Sequence, residues 1–452
     1  MGSDPPRRGQ QQAPTAAGRI RHGMVRGLTR NVVALSLVSL LTDVSSEMLV
    51  FVVPLFLVNV LAATPAVVGI VEGIAESAGA LLRLASGALS DRLGRRRLLV
   101  GSGYAISTLA KGLYLVAMTW PVVLLARLGD RIGKGIRTAP RDALIADSTP
   151  IDARGRAFGF HRAMDTLGAV AGVGLAALLV GLLQGDAATL DDETFRVIAA
   201  LALIPAVLGV AVVVVAVRDV PVGTGAGTGM GPGEEPVVVS PGSLAPAAPT
   251  GFPVAFWMFV VASGLFALGN SSDAFLVLRS QQVGVGVRDL LLLVVVFNLV
   301  GAAIAWPVGA LSDRVGRRVL LVVAWSLYAI AYLGFAIAGP IAGADAGALV
   351  IGLWLLYGAY YGVAEAVGRA LISDLAPAPR RATAFGIANA VVAAMLLPAS
   401  IVAGILWSSV APGAPFAFGA GCAAGALVIV IVAVHPPKQT SGTSPAGRSA
   451  GS

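Results

Sequence analysis

The feature that most constrains this chain is a series of twelve apolar runs, each about as long as a lipid bilayer is thick. An α-helix needs roughly 20 apolar residues to cross the hydrocarbon core. The sequence therefore predicts an all-α membrane protein with twelve transmembrane helices, which we number as spans 1 to 12. The predicted spans cover residues 31–61, 65–88, 97–118, 120–147, 155–184, 194–217, 253–282, 289–311, 318–340, 347–375, 382–408 and 414–435.

Composition agrees with a membrane location. Apolar residues make up 56% of the chain and charged residues only 12%, whereas a soluble domain carries about 25% charged residues. The single cysteine, Cys422, excludes an intramolecular disulfide and a cysteine-only metal site. Loops that we expect in the cytoplasm account for the net charge of +8, so it indicates no nucleic-acid partner. No sequence pattern indicates a cofactor or a metal.

The apolar runs fall into two groups of six. Residues 219–252 are rich in Gly, Pro, Ala and Thr, which predicts a flexible cytoplasmic linker. The linker separates two pseudo-symmetric six-helix bundles, 31–218 and 253–435, and disordered cytoplasmic tails are expected at 1–30 and 436–452. Basic residues concentrate in the first tail and in the loops after spans 2, 4, 8 and 10. We therefore expect a plasma-membrane protein with both termini in the cytoplasm.

A charged segment punctuated by glycines occurs twice, after span 2 and again 222 residues later, after span 8. The duplicated motif consists of Gly87, Asp91, Arg92, Gly94, Arg95 and Arg96 in the first copy and of Gly309, Asp313, Arg314, Gly316, Arg317 and Arg318 in the second. Because each copy joins two membrane-length runs, we expect a short loop, in which Gly87 and Gly309 allow close backbone approach. The pattern resembles the signature loop of the major facilitator superfamily, which lies between helices 2 and 3 and again between helices 8 and 9.

The resemblance implies that span 2 packs beside span 11 of the other half. Asp91 would then lie near the start of span 11, and Asp313 near the start of span 5 by the pseudo-twofold relation. A carboxylate beside the positive N-terminal end of a helix is stabilising. We therefore expect Asp91 and Asp313 to act as conformational latches that close the cytoplasmic face, and not as substrate ligands.

Ionisable residues inside the predicted spans indicate a transport site, because each costs about 2.5–3.5 kcal/mol at the bilayer centre. Span 1 carries Asp43 and Glu47 one turn apart. We expect Glu47, helped by Asp43, to carry a coupled proton. Asp273 on span 7 and Glu76 on span 2 are further candidates for proton coupling. Glu47 is expected to lie near Arg131, so that protonation and substrate binding compete for the same cation.

Span 4 carries a stripe of charged residues that cannot face lipid. The stripe covers an arc of roughly 120° at the helical step of 100° per residue, so it must face a water-filled cavity or acidic neighbours. In the family that the sequence resembles, spans 1 and 4 line the central cavity, which implies a role in substrate binding. The candidates on this span are Arg127, Asp130, Arg131 and Lys134.

The second half is much poorer in charged residues. The positions equivalent to Arg131 and Lys134 are occupied by Gly358 and Tyr361. Span 10 instead carries an acid and several aromatic residues, namely Glu365, Trp354, Tyr357, Tyr360 and Tyr361. Glu365, Tyr357 and Tyr361 are candidates for the substrate cavity, although packing or an interfacial belt explains the aromatic residues equally well. We expect charge handling in the first half and apolar or aromatic substrate contact in the second.

The resemblance to the major facilitator superfamily extends over residues 31–435 and implies a monomeric secondary transporter in the lipid bilayer. We expect proton-coupled efflux, by antiport, of a small organic molecule through alternating access. Gly159, Gly168 and Gly172 on span 5 match part of the family's antiporter motif. A proton-coupled importer of an anionic solute is an alternative. A receptor or membrane-embedded enzyme is disfavoured, because the loops show no nucleotide-binding loop, metal-ligand spacing or nucleophile–base pattern.

Overall fold

The computed structural model of the protein describes residues 28–93, 95–220, 251–339, 346–377 and 380–434. The two predicted tails and the predicted linker therefore lie almost entirely outside the described residues. The side chains of Asp91, Asp313 and Glu365 also lie outside the described part, so their predicted roles stay predictions.

All twelve predicted spans are helical, and their ends lie within six residues of the prediction. In the first half the helices are Arg30–Val50 and Val53–Asn59 (span 1), Pro65–Leu93 (span 2), Arg96–Gly112 (span 3), Trp120–Asp147 (span 4), Arg154–Leu183 (span 5) and Asp192–Ala216 (span 6). In the second half they are Val254–Gly269 and Ala274–Gln282 (span 7), Val287–Val315 (span 8), Arg317–Ile337 (span 9), Ala346–Leu375 (span 10), Arg381–Ser409 (span 11) and Ala414–Ala433 (span 12). Within the described residues the regular structure is entirely helical, which confirms the all-α class.

Eleven of the spans that the structure describes are long and apolar enough to cross a membrane, and span 4 is the exception. The reason is its charged stripe, which lowers its hydropathy. Span 4 packs against spans 2 and 3, so protein rather than lipid covers much of its polar surface. A polar helix is tolerated in a bilayer under that condition.

The two halves repeat one packing pattern. Span 1 packs on spans 5 and 6, and span 4 packs on spans 2 and 3; span 7 likewise packs on spans 11 and 12, and span 10 on spans 8 and 9. The main contacts between the halves join span 2 to span 11 and span 5 to span 8. The predicted neighbours of spans 2 and 8 are therefore present, and the pseudo-twofold relation holds.

Spans 1 and 7 are each interrupted within the bundle. Span 1 breaks at Phe51 and Val52, immediately before Pro54, whose nitrogen cannot donate the next helical hydrogen bond. Span 7 breaks between Gly269 and Ala274. Irregular backbone at membrane depth is stable only where it is buried in protein or lines a cavity, so both breaks mark a region beside an internal cavity.

The duplicated motif is mostly helical, which corrects the prediction of a loop. Span 2 continues to Leu93 and span 8 to Val315, so Asp91 and Asp313 lie in the last turns of their helices. Gly316 alone separates spans 8 and 9, and its φ of 93° lies in the region that favours glycine.

The helix backbones approach each other closely at positions deeper in the bundle than the duplicated motif. A Cβ atom at Gly87 would make only an ordinary contact of 3.7 Å, so the predicted role of this glycine is wrong. The tight contacts involve spans 2 and 4 and, equivalently, spans 8 and 10. A Cβ atom would lie 2.8 Å from the Gly79 oxygen if added at Gly135, and 2.6 Å from the Gly301 oxygen if added at Gly362.

The two ends of the bundle differ in charge. We call the end with the duplicated motif the basic end and the end with the loop between spans 5 and 6 the acidic end. At the acidic end, Gln281 Nε2 donates a hydrogen bond to the Ala188 carbonyl at 2.8 Å. Arg288 Nη1 lies 3.1 Å from Asp186 Oδ1. Both contacts join the two halves at the acidic end.

Candidate functional site

A cavity of about 460 Å³, which we call the central cavity, lies between the two halves. It is lined by spans 1, 2 and 4 from the first half and by spans 7, 8, 10 and 11 from the second. Its charged residues are Glu47, Glu72, Glu76, Arg127, Arg131 and Asp273, and its aromatic residues are Phe51, Phe297, Tyr357, Tyr360 and Tyr361. Most of the predicted site residues that the structure describes are therefore brought together in one place.

A second cavity of about 450 Å³ adjoins the central cavity on the side of the basic end. The two share Glu76 and Arg131 in their linings. The other charged residues of the second cavity are Arg83, Lys134 and Arg369. We call it the basic vestibule, since cations outnumber carboxylates in its lining.

Arg127 and Glu72 form a two-point ion pair at the wall of the central cavity. Arg127 Nε donates to Glu72 Oε1 at 2.8 Å, and Nη2 donates to Oε2 at 2.7 Å. The side chains are only 6% and 1% exposed, so the pair is fully desolvated and its geometry compensates part of the desolvation cost. Glu72 was not a predicted site residue. The sequence spacing could have identified it. Glu72 lies one helical turn before Glu76, just as Arg127 lies one turn before Arg131, so two parallel pairs can form between the helices.

Arg131 pairs with Glu76 and not with Glu47. Arg131 Nε lies 2.8 Å from Glu76 Oε1, so the predicted Glu47–Arg131 pair is wrong. The Glu76 side chain is 39% exposed and lies where the central cavity meets the basic vestibule. This second ion pair is therefore accessible from the vestibule, whereas the Arg127–Glu72 pair is not.

Glu47 lines the central cavity and forms no hydrogen bond or ion pair with any residue that the structure describes. The charged groups with the largest electrostatic influence on it are Lys134 and Asp43. Asp43 itself lies outside the lining of both cavities. The predicted carrier Glu47 thus has direct access to the cavity, and Asp43 does not.

Two glycines of span 5 pack against span 1 beside these carboxylates. A Cβ atom at Gly168 would lie 3.0 Å from the Asp43 Cβ, and one at Gly172 would lie 3.0 Å from the Glu47 Cβ. Close packing on span 1 therefore explains both glycines. Their presence does not by itself indicate antiport.

Asp130 lies in neither cavity, which corrects its prediction as a cavity residue. Its carboxylate accepts a hydrogen bond from Ser107 Oγ and lies 3.8 Å from Lys111 Nζ. Lys111 Nζ also donates to Ser45 Oγ at 2.9 Å and to Ser46 Oγ at 2.8 Å. This buried cluster ties spans 1, 3 and 4 together and has a structural role.

Aromatic residues of the second half surround Asp273 at the break in span 7. Tyr357 donates its hydroxyl hydrogen to Asp273 Oδ1 at 2.6 Å. The ring of Phe297 stacks on Tyr357 and meets Tyr361 edge-on, each with centroids 5.4 Å apart. Trp354 is buried and donates its indole N–H to Ser280 at 3.0 Å. Tyr357 and Tyr361 therefore line the central cavity, while Trp354 is a packing residue.

Chemically, the cavity combines an unpaired carboxylate with neutralised arginines and an aromatic wall. A carboxylate without a counter-ion can take up a proton, and an aromatic wall can hold an apolar or cationic group. Within the described residues, no group of three or more His, Cys, Asp and Glu side chains could hold a metal ion.

Sequence comparison identifies the family. The profile of the Major Facilitator Superfamily matches residues 35–394. The chain belongs to the major facilitator superfamily. It is 31% identical to an uncharacterized MFS-type transporter of Methanocaldococcus jannaschii over 416 residues, which cover 90% of this chain and 96% of the relative. It is also 27% identical to an uncharacterized protein of Mycobacterium tuberculosis, over 83% of each chain.

Solved structures of major facilitator transporters share the fold. The inward-facing, unoccupied structure of a bacterial homologue of the lysosomal transporter Spinster superimposes with a TM-score of 0.64 at 18% identity, over 89% of this chain and 95% of that one. A D-xylose–proton symporter superimposes with a TM-score of 0.68 at 17% identity, over 90% of this chain and 98% of that one. At these identities the similarity shows the fold alone. With the family match, it makes this protein a multi-pass membrane transporter.

Proposed function

We propose that this transporter exports a small organic molecule in exchange for protons and that Glu47 carries the proton. The main support is the position of Glu47 in the central cavity, where it forms no ion pair with any residue that the structure describes. An unpaired carboxylate is costly to keep ionised in a desolvated site. Proton uptake by Glu47 therefore accompanies any step that removes water or a substrate cation from the cavity.

The other acidic candidates have different parts in this proposal. Asp273 faces the same cavity from the second half and is the second candidate for proton coupling. Asp43 lies one turn from Glu47 but outside the cavity, where it would pass a proton rather than meet substrate. Glu76 is engaged by Arg131 and is the weakest of the four.

Alternating access fits the way in which the halves meet. Hydrogen bonds join them at the acidic end, while the central cavity shares Glu76 and Arg131 with the adjoining basic vestibule. The conformation is thus one in which the site communicates with the basic end. By the bias of basic residues toward the cytoplasm, we propose that this end faces the cytoplasm of a plasma-membrane protein, with both termini inside. Each chain holds a complete cavity between its halves, which supports a monomer.

Charge in the central cavity favours efflux of a neutral or cationic molecule over import of an anion. Four carboxylates and two guanidinium groups line the cavity, and both guanidinium groups are paired with glutamates. An anionic solute would therefore have to displace an existing ion pair. The cations of the basic vestibule are the remaining support for the anion importer.

The proposal is tested by separating proton-driven transport from exchange. A ligand is first identified by a thermal-shift screen of chemically diverse compounds, since a ligand stabilises the folded state. Proteoliposomes then report its accumulation under a pH gradient and its counterflow without one. Glu47→Gln should lower gradient-driven accumulation at least about tenfold and leave counterflow within about twofold, because the amide keeps the shape but cannot release a proton. The matched control is Glu193→Gln, at an exposed glutamate of the acidic end, which should change neither.

Vesicle orientation decides the direction. An antiporter should accumulate ligand in inside-out vesicles with an acidic interior, whereas a symporting importer should do so in right-side-out vesicles with an acidic exterior. If Glu47→Gln still concentrates ligand against a gradient, Glu47 is structural and the coupling assignment is wrong.

A further inference from the structure

We infer that the central cavity selects an organic cation and that its charged group lies between Asp273 and the aromatic residues of the second half. This substrate class rests on the proposed function of the central cavity as the transport site, but not on proton coupling.

The first support is the charge that is left after the ion pairs are formed. Arg127 forms an ion pair with Glu72, and Arg131 forms one with Glu76. The remaining charged residues of the cavity are two carboxylates, Glu47 and Asp273, which come from opposite halves. A desolvated cavity with two surplus negative charges stabilises a positive ligand and disfavours a negative one.

The second support is the aromatic wall beside Asp273. The ring of Phe297 contacts those of Tyr357 and Tyr361. All three line the cavity, as does Tyr360. Tyr361 is 46% exposed and lines the cavity. Aromatic faces attract cations, and surrounding aromatic rings are a common way to bind alkylammonium groups.

The hydrogen bond from Tyr357 prepares Asp273 for this role. The hydroxyl donates to Oδ1, which fixes the carboxylate against the aromatic wall and leaves Oδ2 for the ligand. A fixed anion beside fixed rings needs little reorganisation when a cation binds.

A further acceptor lies in the same break of span 7. Asn270 lines the central cavity, and its side-chain oxygen is buried without a hydrogen-bond partner among the described residues. Buried polar atoms normally have partners. The partial negative charge of this oxygen adds to that of Asp273 in the same break and favours a cationic ligand.

Among the cations of the basic vestibule, Lys134 acts electrostatically on Glu47, whereas the charged groups that act on Asp273 are carboxylates. Arg83, Lys134 and Arg369 lie toward the basic end, where topology concentrates arginine and lysine in membrane proteins. None of the three lines the central cavity. The proposed cation therefore binds beyond the vestibule, where carboxylates are in excess.

Equilibrium binding to the full-length protein in lipid nanodiscs tests the substrate class without a proton gradient. The probes are benzyltrimethylammonium, benzyl alcohol and phenylacetate, which are a cationic, a neutral and an anionic aromatic compound of similar size. Thermal shift and calorimetry should show the cation binding at least about tenfold more tightly than the neutral compound and phenylacetate binding more weakly than either. Equal affinities for all three, or preference for phenylacetate, would overturn the inference.

Two variants locate the site. Asp273→Asn should weaken benzyltrimethylammonium binding at least about tenfold and leave benzyl alcohol binding within about twofold. Tyr361→Leu, at a residue that is 46% exposed, should weaken binding of the cation alone, by about threefold to tenfold, in line with a cation–π contribution. The matched control is Asp374→Asn, because Asp374 pairs with Arg317 at the basic end and should not affect either probe.

The outcome is independent of the coupling mechanism. Cation binding that survives unchanged in both Asp273→Asn and Tyr361→Leu would place the ligand elsewhere and refute the inference. Cation selectivity together with transport that ignores the pH gradient would refute only proton coupling. Anion selectivity with intact proton coupling would refute only the substrate class.

Discussion

Spans 4 and 10 occupy equivalent places in the two halves but give the central cavity opposite chemistry. Each packs against two neighbouring spans of its own half. Arg127 and Arg131 on span 4 correspond, 227 residues later, to Trp354 and Gly358 on span 10. The first half therefore presents ion pairs to the cavity, and the second presents aromatic rings.

The backbone contacts beneath these side chains are alike. Gly135 packs on the Gly79 carbonyl in the first half, and Gly362 packs on the Gly301 carbonyl in the second. Small residues let helices approach closely in a membrane. Glycines therefore fix the backbone packing of each half, while the side chains that face the cavity differ without altering that packing.

The sharpest difference between the halves is the Arg127–Glu72 pair, whose equivalents are Trp354 and Val294. Arg127→Leu should destabilise the protein by about 3–5 kcal/mol, because Glu72 would be left buried and unpaired. Folded yield and the midpoint of thermal unfolding in detergent measure the effect.

The double variant Arg127→Leu with Glu72→Leu should recover most of this loss, since packed apolar residues can replace a buried ion pair. The second half already carries two apolar residues at these positions. A double variant no more stable than the single one would show that the two side chains do not act as a pair.

The shared scaffold predicts equal effects in both halves. Gly135→Ala and Gly362→Ala should each destabilise the protein by about 1–3 kcal/mol, because the added methyl group overlaps a neighbouring backbone. Gly368→Ala is the matched control, since a Cβ atom there meets nothing within 4 Å. Thermal unfolding compares the three variants directly. Strong destabilisation by only one of Gly135→Ala and Gly362→Ala would show that the two halves do not share this packing.

Substitution of Trp354 should destabilise the protein less than substitution of its counterpart, Arg127. Trp354→Phe removes the hydrogen bond to Ser280 and should cost about 0.5–1.5 kcal/mol, without leaving a buried charge. Trp257→Phe, at a half-exposed tryptophan on span 7, serves as the control in the same unfolding assay. A loss as large as that of Arg127→Leu would contradict the division into a charged and an aromatic half.

The smallest expected effects concern the duplicated motif, which the halves share. Asp91→Asn and Asp313→Asn should each weaken closure of the basic end by about 0.3–1 kcal/mol, the usual contribution of a carboxylate at a helix N-terminus. Spin-label distances across the basic end should then report a larger open population and slower turnover, with little change in ligand affinity. Transport lost with unchanged distances in both variants would refute the latch.

The candidate site was only partly predictable. A charged residue inside an apolar run is costly in the bilayer and therefore indicates a functional or paired group. This argument identified Glu47, Arg127, Arg131 and Asp273. Asp130 belongs to the same stripe, but it faces span 3 instead of the cavity. The stripe covers roughly a third of the circumference of span 4, and sequence periodicity alone cannot divide such an arc between a cavity and a neighbouring helix.

The sequence by itself determined the number of spans, their ends to within six residues and the duplication of the halves. These follow from local properties, namely apolar length, charge and repeat spacing. Only the tertiary structure decided which carboxylate meets which arginine. Spans 1 and 2 both offer glutamates, but Gly79 and Gly135 draw span 2 against span 4, so Arg131 meets Glu76. Span 1 packs instead on span 5, through Gly172 beside Glu47, which leaves the Glu47 carboxylate facing the cavity unpaired.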